Sequence, residues 1–138
     1  MKKKGFTLTE LLAVVVLIAV ISLVGSYGVA GINRAIKKNM CESKRDLIIS
    51  SAQKYGEDHL NKLTSTSKCT AYDNRTFCLQ TTVEFLINQR YMPTSDRDSE
   101  NKKIVINDLT EETINNELVF IYLDNSVVYA QVNDFCNE

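Results

Sequence analysis

The sequence of 138 residues contains no tryptophan, one proline and one histidine, and its formal net charge is −1. A single histidine leaves little from which to build a nucleophile–base pair or a histidine metal site. A near-neutral charge argues against nucleic-acid binding as the main function. The chain also lacks a Gly-rich phosphate loop. We therefore predict no enzyme, no cofactor and no metal.

The neutral average conceals a segregation of charge around one long apolar run. The first forty residues carry six basic residues and a single acid, Glu10, and between Leu11 and Val24 only Ser22 interrupts the aliphatic side chains. Extended from Phe6 to Val29, the run can cross a hydrocarbon core of about 30 Å at about 1.5 Å per residue. The lysines of residues 2–4 place the N-terminus in the cytoplasm. This pattern predicts one membrane span, with the rest of the chain outside.

Two ordinary explanations of the run remain open. A secretory signal cleaved among the small residues 25–31 is one, although the run exceeds the usual apolar region of such signals. An uncut signal anchor is the other. Neither explains Glu10, because a carboxylate inside or beside a membrane span costs about 1–3 kcal/mol and by default indicates a function.

The stretch KKKGFTLTELL resembles the leader and mature N-terminus of type IV prepilins and pseudopilins. The resemblance implies cleavage between Gly5 and Phe6 by a prepilin peptidase, methylation of the new Phe6 amine, and Glu10 as the fifth mature residue. It also implies an α+β pilin-like fold, in which a long N-terminal helix packs on a small antiparallel sheet. The expected organisation is a cleaved leader (residues 1–5), a transmembrane or filament-core half-helix (6–31) and an extracytoplasmic headgroup (32–138).

Glu10 has a specific expected role in such a protein. Cleavage creates an ammonium at Phe6, and an unpaired charge in an apolar fibre core costs several kcal/mol. A salt bridge from the Phe6 amine of one subunit to Glu10 of another would satisfy both charges and set the register of assembly. The alternative is that Glu10 merely lies near a helix N-terminus, where an acid is favoured.

The helical pattern continues beyond the membrane and predicts one helix from Thr7 to Leu60. Its predicted apolar face consists of Ile32, Ile36, Met40, Leu47, Ile48, Ala52 and Tyr55. The opposite face is basic, formed by Arg34, Lys37, Lys38, Lys44 and Arg45, and in a filament these residues could meet acids of adjacent headgroups.

The remaining elements are short. Residues 61–78 read as a polar loop, and Thr81 to Glu84 has capping-box spacing before a helix that ends near Arg90. Residues 103–107 predict a strand. The apolar runs 118–123 and 127–132, separated by Asp124-Asn125-Ser126, predict a hairpin.

Four cysteines, all beyond the apolar run, predict disulfides in an exported domain, with three pairings possible. Because the pilin family often ties down its C-terminal region with a disulfide, we favour Cys69–Cys78 and Cys41–Cys136. Zinc is disfavoured because no CxxC pair exists. Asp96, Asp98 and Glu100 alternate in a loop, but without the glycine and distal glutamate of a calcium loop they favour a solvated segment.

The expected function is that of a major or minor pilin, a structural subunit of a type IV pilus-like filament. The partners implied by the resemblance are other pilins, the prepilin peptidase and an inner-membrane platform driven by a cytoplasmic ATPase. The subunit is expected in the membrane before assembly and in a surface filament afterwards. One alternative is a pseudopilin of a type II secretion or DNA-uptake machine. Another is a single-span surface receptor or adhesin that never polymerises.

Overall fold

The computed structural model describes residues 7–65 and 77–137, with the backbone alone for residues 24–30. The chain divides into two units, Met1–Ile36 and Lys37–Glu138. A long helix and a small antiparallel sheet confirm the predicted α+β class. The elements in chain order are α1 (Leu8–Asp58), α2 (Leu60–Thr64), β1 (Cys78–Thr82), α3 (Val83–Asn88), β2 (Leu118–Asp124) and β3 (Val127–Val132).

The second unit is built around a three-stranded antiparallel sheet in the order β1-β2-β3. Strand side chains alternate between the two faces, so residues 119 and 121 of β2 share a face with residues 128 and 130 of β3. That face packs against α1, whose Ile48, Ala52 and Tyr55 are at most 2% exposed. Phe120 and Tyr122 belong to a second buried cluster with Cys78. This outer cluster is separate from the core under the helix.

The predicted apolar face of the helix is only partly correct. Ile48, Ala52 and Tyr55 are buried as expected, but Met40 and Leu47 remain 49% and 39% exposed. Two neighbouring apolar rows run along the helix, and a 3.6-residue period does not decide which of them faces the sheet. The row that contains the disulfide-bonded Cys41 is the one that packs.

The predicted hairpin is confirmed as β2 and β3. Asn125 and Ser126 connect the strands with φ values of 47° and 66°, and Asp124 pairs with Val127. Two consecutive left-handed residues in a two-residue loop are characteristic of a type I′ turn, whose twist matches that of the strands.

Three local predictions need correction. The predicted loop 61–78 begins with the short helix α2, and the residues that follow it include the unpredicted strand β1. Residues 103–107 form no strand, since only isolated bridges connect Lys103 to Arg97 and Ile106 to Thr113. The segment resembled a strand in the sequence because its β-branched residues Ile104 and Val105, which the core buries, are of the type that strands favour.

The cap of the short helix also differs by one residue from the prediction. Thr82, rather than Thr81, is the N-cap of α3, and its hydroxyl oxygen accepts a hydrogen bond from the backbone N–H of Phe85. The helix ends at Asn88, two residues before the expected end.

Candidate functional site

The first turn of α1 is closed by reciprocal hydrogen bonds between Thr7 and Glu10. The backbone N–H and the hydroxyl of Thr7 each donate to Oε2 of Glu10 at 2.9 Å. In return, the backbone N–H of Glu10 lies 3.4 Å from the Thr7 hydroxyl oxygen and 3.1 Å from the Thr7 carbonyl oxygen. This is a capping box, in which a threonine and a glutamate three residues later satisfy helix N–H groups that have no intrahelical partner.

The capping box adds a second role for Glu10 beside the one predicted from the sequence. In the single chain, Glu10 lies where the alternative hypothesis from the sequence placed it, near the N-terminus of a helix. Both recorded Glu10 side-chain bonds use Oε2, and no described residue bonds to Oε1. The carboxylate is therefore held in place by one oxygen while the other remains able to accept a donor. The Thr-x-x-Glu spacing of this capping box is visible in the sequence, but the sequence-based prediction did not identify it.

The surface of the helix that follows is hydrocarbon on every side. Every large aliphatic side chain from Leu8 to Leu23 is exposed, by 47% to 83%. Soluble proteins rarely expose apolar patches beyond a few hundred Å², and such patches mark contact with lipid or with other chains. Among the residues whose side chains are described, no helix combines the length and the hydropathy needed to cross a bilayer.

Residues 1–26 match the family model of the prokaryotic N-terminal methylation motif. This is the signature of a type IV prepilin leader. The prepilin signature supports a type IV pilin-like or pseudopilin protein, and it implies prepilin peptidase cleavage and a membrane-anchored precursor. No curated protein and no solved structure shows significant similarity to the chain.

The predicted processing site lies at the edge of the described chain. Gly5 and Phe6 fall outside the described residues, which begin at Thr7. Cleavage between them, methylation of Phe6 and the Phe6–Glu10 salt bridge therefore stay predictions.

The C-terminal tail is tied to α1 by the predicted Cys41–Cys136 disulfide. The two Cα atoms lie 5.8 Å apart, and the cysteines are 0% and 2% exposed. Asn107, 3% exposed, holds the same region, since its side-chain amide donates to the Phe135 carbonyl at 2.9 Å. The Asn107 Oδ1 also lies 3.4 Å from the Cys41 sulfur, a contact without a donor because a disulfide sulfur carries no hydrogen. No pattern in the sequence indicated that Asn107 would hold the C-terminal tail.

The other predicted disulfide is not tested. Cys78 is 3% exposed at the start of β1, and no described cysteine is a free thiol. Cys69 lies outside the described residues. The Cys69–Cys78 pairing therefore stays a prediction.

Three residues of the predicted basic face, Lys37, Lys44 and Arg45, pair with acids of the headgroup. Lys37 Nζ lies 3.0 Å from Glu111 Oε1. Lys44 Nζ lies 3.0 Å from Asp108 Oδ1 and donates to the Ile106 carbonyl at 2.9 Å. Arg45 lies 3.0 Å from Asp134 in the C-terminal tail. Acids supplied by distant loops compensate these cations, and helix periodicity alone does not reveal such partners.

Near the end of α1, the side chains of Lys54, Asp58 and Tyr91 form a polar cluster beside the stacked rings of Tyr55 and His59. The Lys54 ammonium, 2.9 Å from the Asp58 carboxylate, and then the Tyr91 hydroxyl hold the pKa of Asp58 below its usual value. Desolvation, followed by the hydrogen bond to Asp58, raises the pKa of Tyr91. The Tyr91 ring meets the Tyr55 ring edge-on, with centroids 5.2 Å apart. The cluster fastens the segment after α3 to the helix.

The metal-ligating side chains of the described residues are dispersed. They include no group of three or more His, Cys, Asp or Glu side chains placed to hold a metal ion. Asp98, one of the alternating acids, instead accepts backbone N–H bonds from Glu100 and Lys102 at 2.9 and 2.8 Å. One cleft of about 150 Å³ lies beside Lys44, Leu47 and residues 92–96. Lys44 within it is already paired with Asp108.

Proposed function

We propose that this protein is a major or minor pilin, a structural subunit that polymerises into a type IV pilus-like filament after its leader is removed. The observation that carries the proposal is the exposed aliphatic surface of α1 from Leu8 to Leu23, which lies within the residues that match the methylation motif. Burying one large aliphatic side chain contributes about 1.5–3 kcal/mol. A helix covered with such side chains on all sides needs lipid before assembly and other copies afterwards.

The proposed assembly step is an exchange of surroundings rather than a reaction. The helix leaves the bilayer when contacts with neighbouring helices replace its lipid contacts. The repeated contact joins different surfaces of successive copies, and a contact of this type that does not close generates a helical fibre.

In this proposal, Glu10 forms the salt bridge that sets the register between neighbouring copies. Its Oε2 is occupied by Thr7 within the same chain, at 2.9 Å from both donors. The ammonium of the processed Phe6 of a neighbouring copy approaches the other carboxylate oxygen. Each charge then offsets the cost of burying the other in the apolar fibre core.

The capping box makes a discriminating experiment possible. Glutamine also serves at the Glu10 position of a capping box, so Glu10→Gln removes the charge and keeps the cap. Thr7→Ala does the reverse, since it removes the capping hydroxyl and keeps the charge. Thr9→Ala is the comparison variant: the Thr9 hydroxyl lies 3.1 Å from the Thr7 hydroxyl, so its removal affects that contact but leaves both Thr7–Glu10 side-chain bonds in place. Leader cleavage and the amount of filament sheared from cells are measured for each variant.

The proposal predicts that Glu10→Gln is cleaved normally but yields no filament, whereas Thr7→Ala and Thr9→Ala assemble. If Glu10 acts only as a cap, the order reverses: Glu10→Gln assembles and Thr7→Ala is impaired. A non-polymerising receptor would give unchanged surface levels in all three variants and no sheared fibre at all.

A further inference from the structure

The solvent-exposed side of α1 after the apolar run carries charges that have no partners within the described residues. Lys38, Glu42 and Asp46 follow one another at four-residue steps on α1, and Arg34 precedes them by the same step. All four are exposed, and within the described residues none makes an ion pair or a side-chain hydrogen bond. Lys44 and Arg45 of the same helix, by contrast, both have acidic partners.

The order of signs along this row is only partly favourable within one chain. Residues four apart on a helix are surface neighbours, and like charges at that spacing repel. Arg34 and Lys38 form a basic neighbouring pair, and Glu42 and Asp46 form an acidic one. Lys38 and Glu42, at the same spacing, attract each other. A single copy therefore carries one favourable spacing between two repulsive pairs of opposite sign, and a second copy can neutralise the charges of both pairs.

We propose that this charged row is a contact between copies, in which Lys38 of one subunit pairs with Asp46 of a neighbour and Arg34 pairs with Glu42. The proposal rests on the proposed function, which supplies parallel helices. Lys38 and Asp46 are eight residues apart, which is about 12 Å along an α-helix. A parallel neighbour displaced by that distance places its acidic pair beside the basic pair of the first copy. A neighbour displaced by the same distance in the opposite direction places its basic pair beside the acidic pair of the first copy.

The charges favour a second copy of this chain as the occupant, because the complementary surface is present on the same helix. The contact joins two different patches and does not close on itself, as fibre growth requires. A helical fibre gives each copy several neighbours at different axial offsets. The charged row and the proposed Phe6–Glu10 contact therefore involve different neighbours.

The experiment is a charge exchange in the full-length protein expressed in its own cells. The variants are Lys38→Glu, Asp46→Lys and the two combined. Lys62→Glu on α2 and Glu112→Lys in a loop are controls, because they reverse exposed charges outside the row. Sheared filament is quantified against the total amount of processed subunit, and circular dichroism of each purified subunit verifies its fold.

An exposed ion pair changes a contact equilibrium by about two- to five-fold, and the contact recurs along the fibre. We expect each single reversal to reduce filament by about five-fold or more. The combined exchange restores it towards the wild-type amount, and the controls remain unchanged. Loss in the singles without restoration in the combined variant overturns the pairing, as does an equal loss in the controls.

Glu10→Gln in the same cells separates this inference from the proposed function. If Glu10→Gln abolishes filament while Lys38→Glu and Asp46→Lys leave it intact, the charged row is not a contact between copies and the pilin assignment stands. If no variant, Glu10→Gln included, changes the amount of sheared filament, both the charged row and the Phe6–Glu10 contact fail as contacts between copies. If the wild-type protein never occurs in sheared fibre, the proposed function itself fails.

Discussion

Gly56 tests how closely α1 approaches the sheet. It lies within α1, and a Cβ added there would lie 2.7 Å from Cγ2 of Ile121 and 2.7 Å from Cγ1 of Val128. Carbon atoms in favourable contact are about 3.5–4.0 Å apart, so both methyl groups must move. Both belong to β-branched residues with few rotamers, buried in the core, and this restricts the movement.

Helix propensity and packing therefore make opposite predictions for Gly56→Ala. Propensity alone predicts a gain of about 1 kcal/mol, whereas overpacking costs about 1–3 kcal/mol. Because two buried methyl groups must move, we take the upper part of the overpacking range, about 2–3 kcal/mol, and expect a net loss of about 1–2 kcal/mol in the free energy of unfolding. Gly31→Ala, with nothing within 4 Å of its added Cβ, is the control and should not destabilise the protein.

Chemical denaturation of the full chain in detergent, followed by circular dichroism, measures both variants. Combining Gly56→Ala with Val128→Ala removes one of the two close contacts of the new methyl group, and we expect a favourable coupling of about 0.5–2 kcal/mol between the two changes. A Gly56→Ala protein as stable as the wild type, or more stable, would show that the helix and sheet do not meet as described.

Three further predictions concern the headgroup. Replacing Cys41 and Cys136 together by alanine opens a covalent loop with a sequence separation of 95, and should cost about 2–5 kcal/mol in thermal unfolding; an unchanged midpoint would contradict the disulfide. Ser126→Gly should stabilise the hairpin by about 0.5–1 kcal/mol because glycine adopts the observed φ of 66° without strain, whereas Ser126→Val should destabilise it. The amide of Asn137, together with the backbone of residue 136 and the Arg45 guanidinium, holds the pKa of Asp134 below its ordinary value of 3.8. This carboxylate therefore stabilises the fold above pH 3.8 and loses the effect as the pH falls through its lowered pKa, so the stability difference between wild type and Asp134→Asn should shrink in acid.

The elements that the sequence predicted well are those with a strong local signal. The long helix follows from an uninterrupted aliphatic run and a sustained helical period, and α1 ends two residues before the predicted Leu60. The hairpin follows from two β-prone runs around a turn. The Cys41–Cys136 pairing came from the family resemblance rather than from spacing.

The features that the sequence did not reveal depend on distant partners. Lys44 was placed on a solvent face because its acid, Asp108, comes from a loop 64 residues away. Strand β1 was missed because its CLQTT sequence has only one aliphatic residue, and its pairing with β2 supplies the rest of the stabilisation. The buried segment 103–107 imitated a strand because burial and β-pairing select the same residue types.

The central claim is that a processed N-terminus and Glu10 join separate copies into a fibre. Mass spectrometry of fibres sheared from the cell surface tests it most directly, because one spectrum identifies the subunit, its first residue and the modification of that residue. The account predicts that the fibres contain this subunit, that it begins at methylated Phe6 and that it lacks residues 1–5. A native protein that keeps its lysine-bearing leader and never occurs in fibres would contradict it.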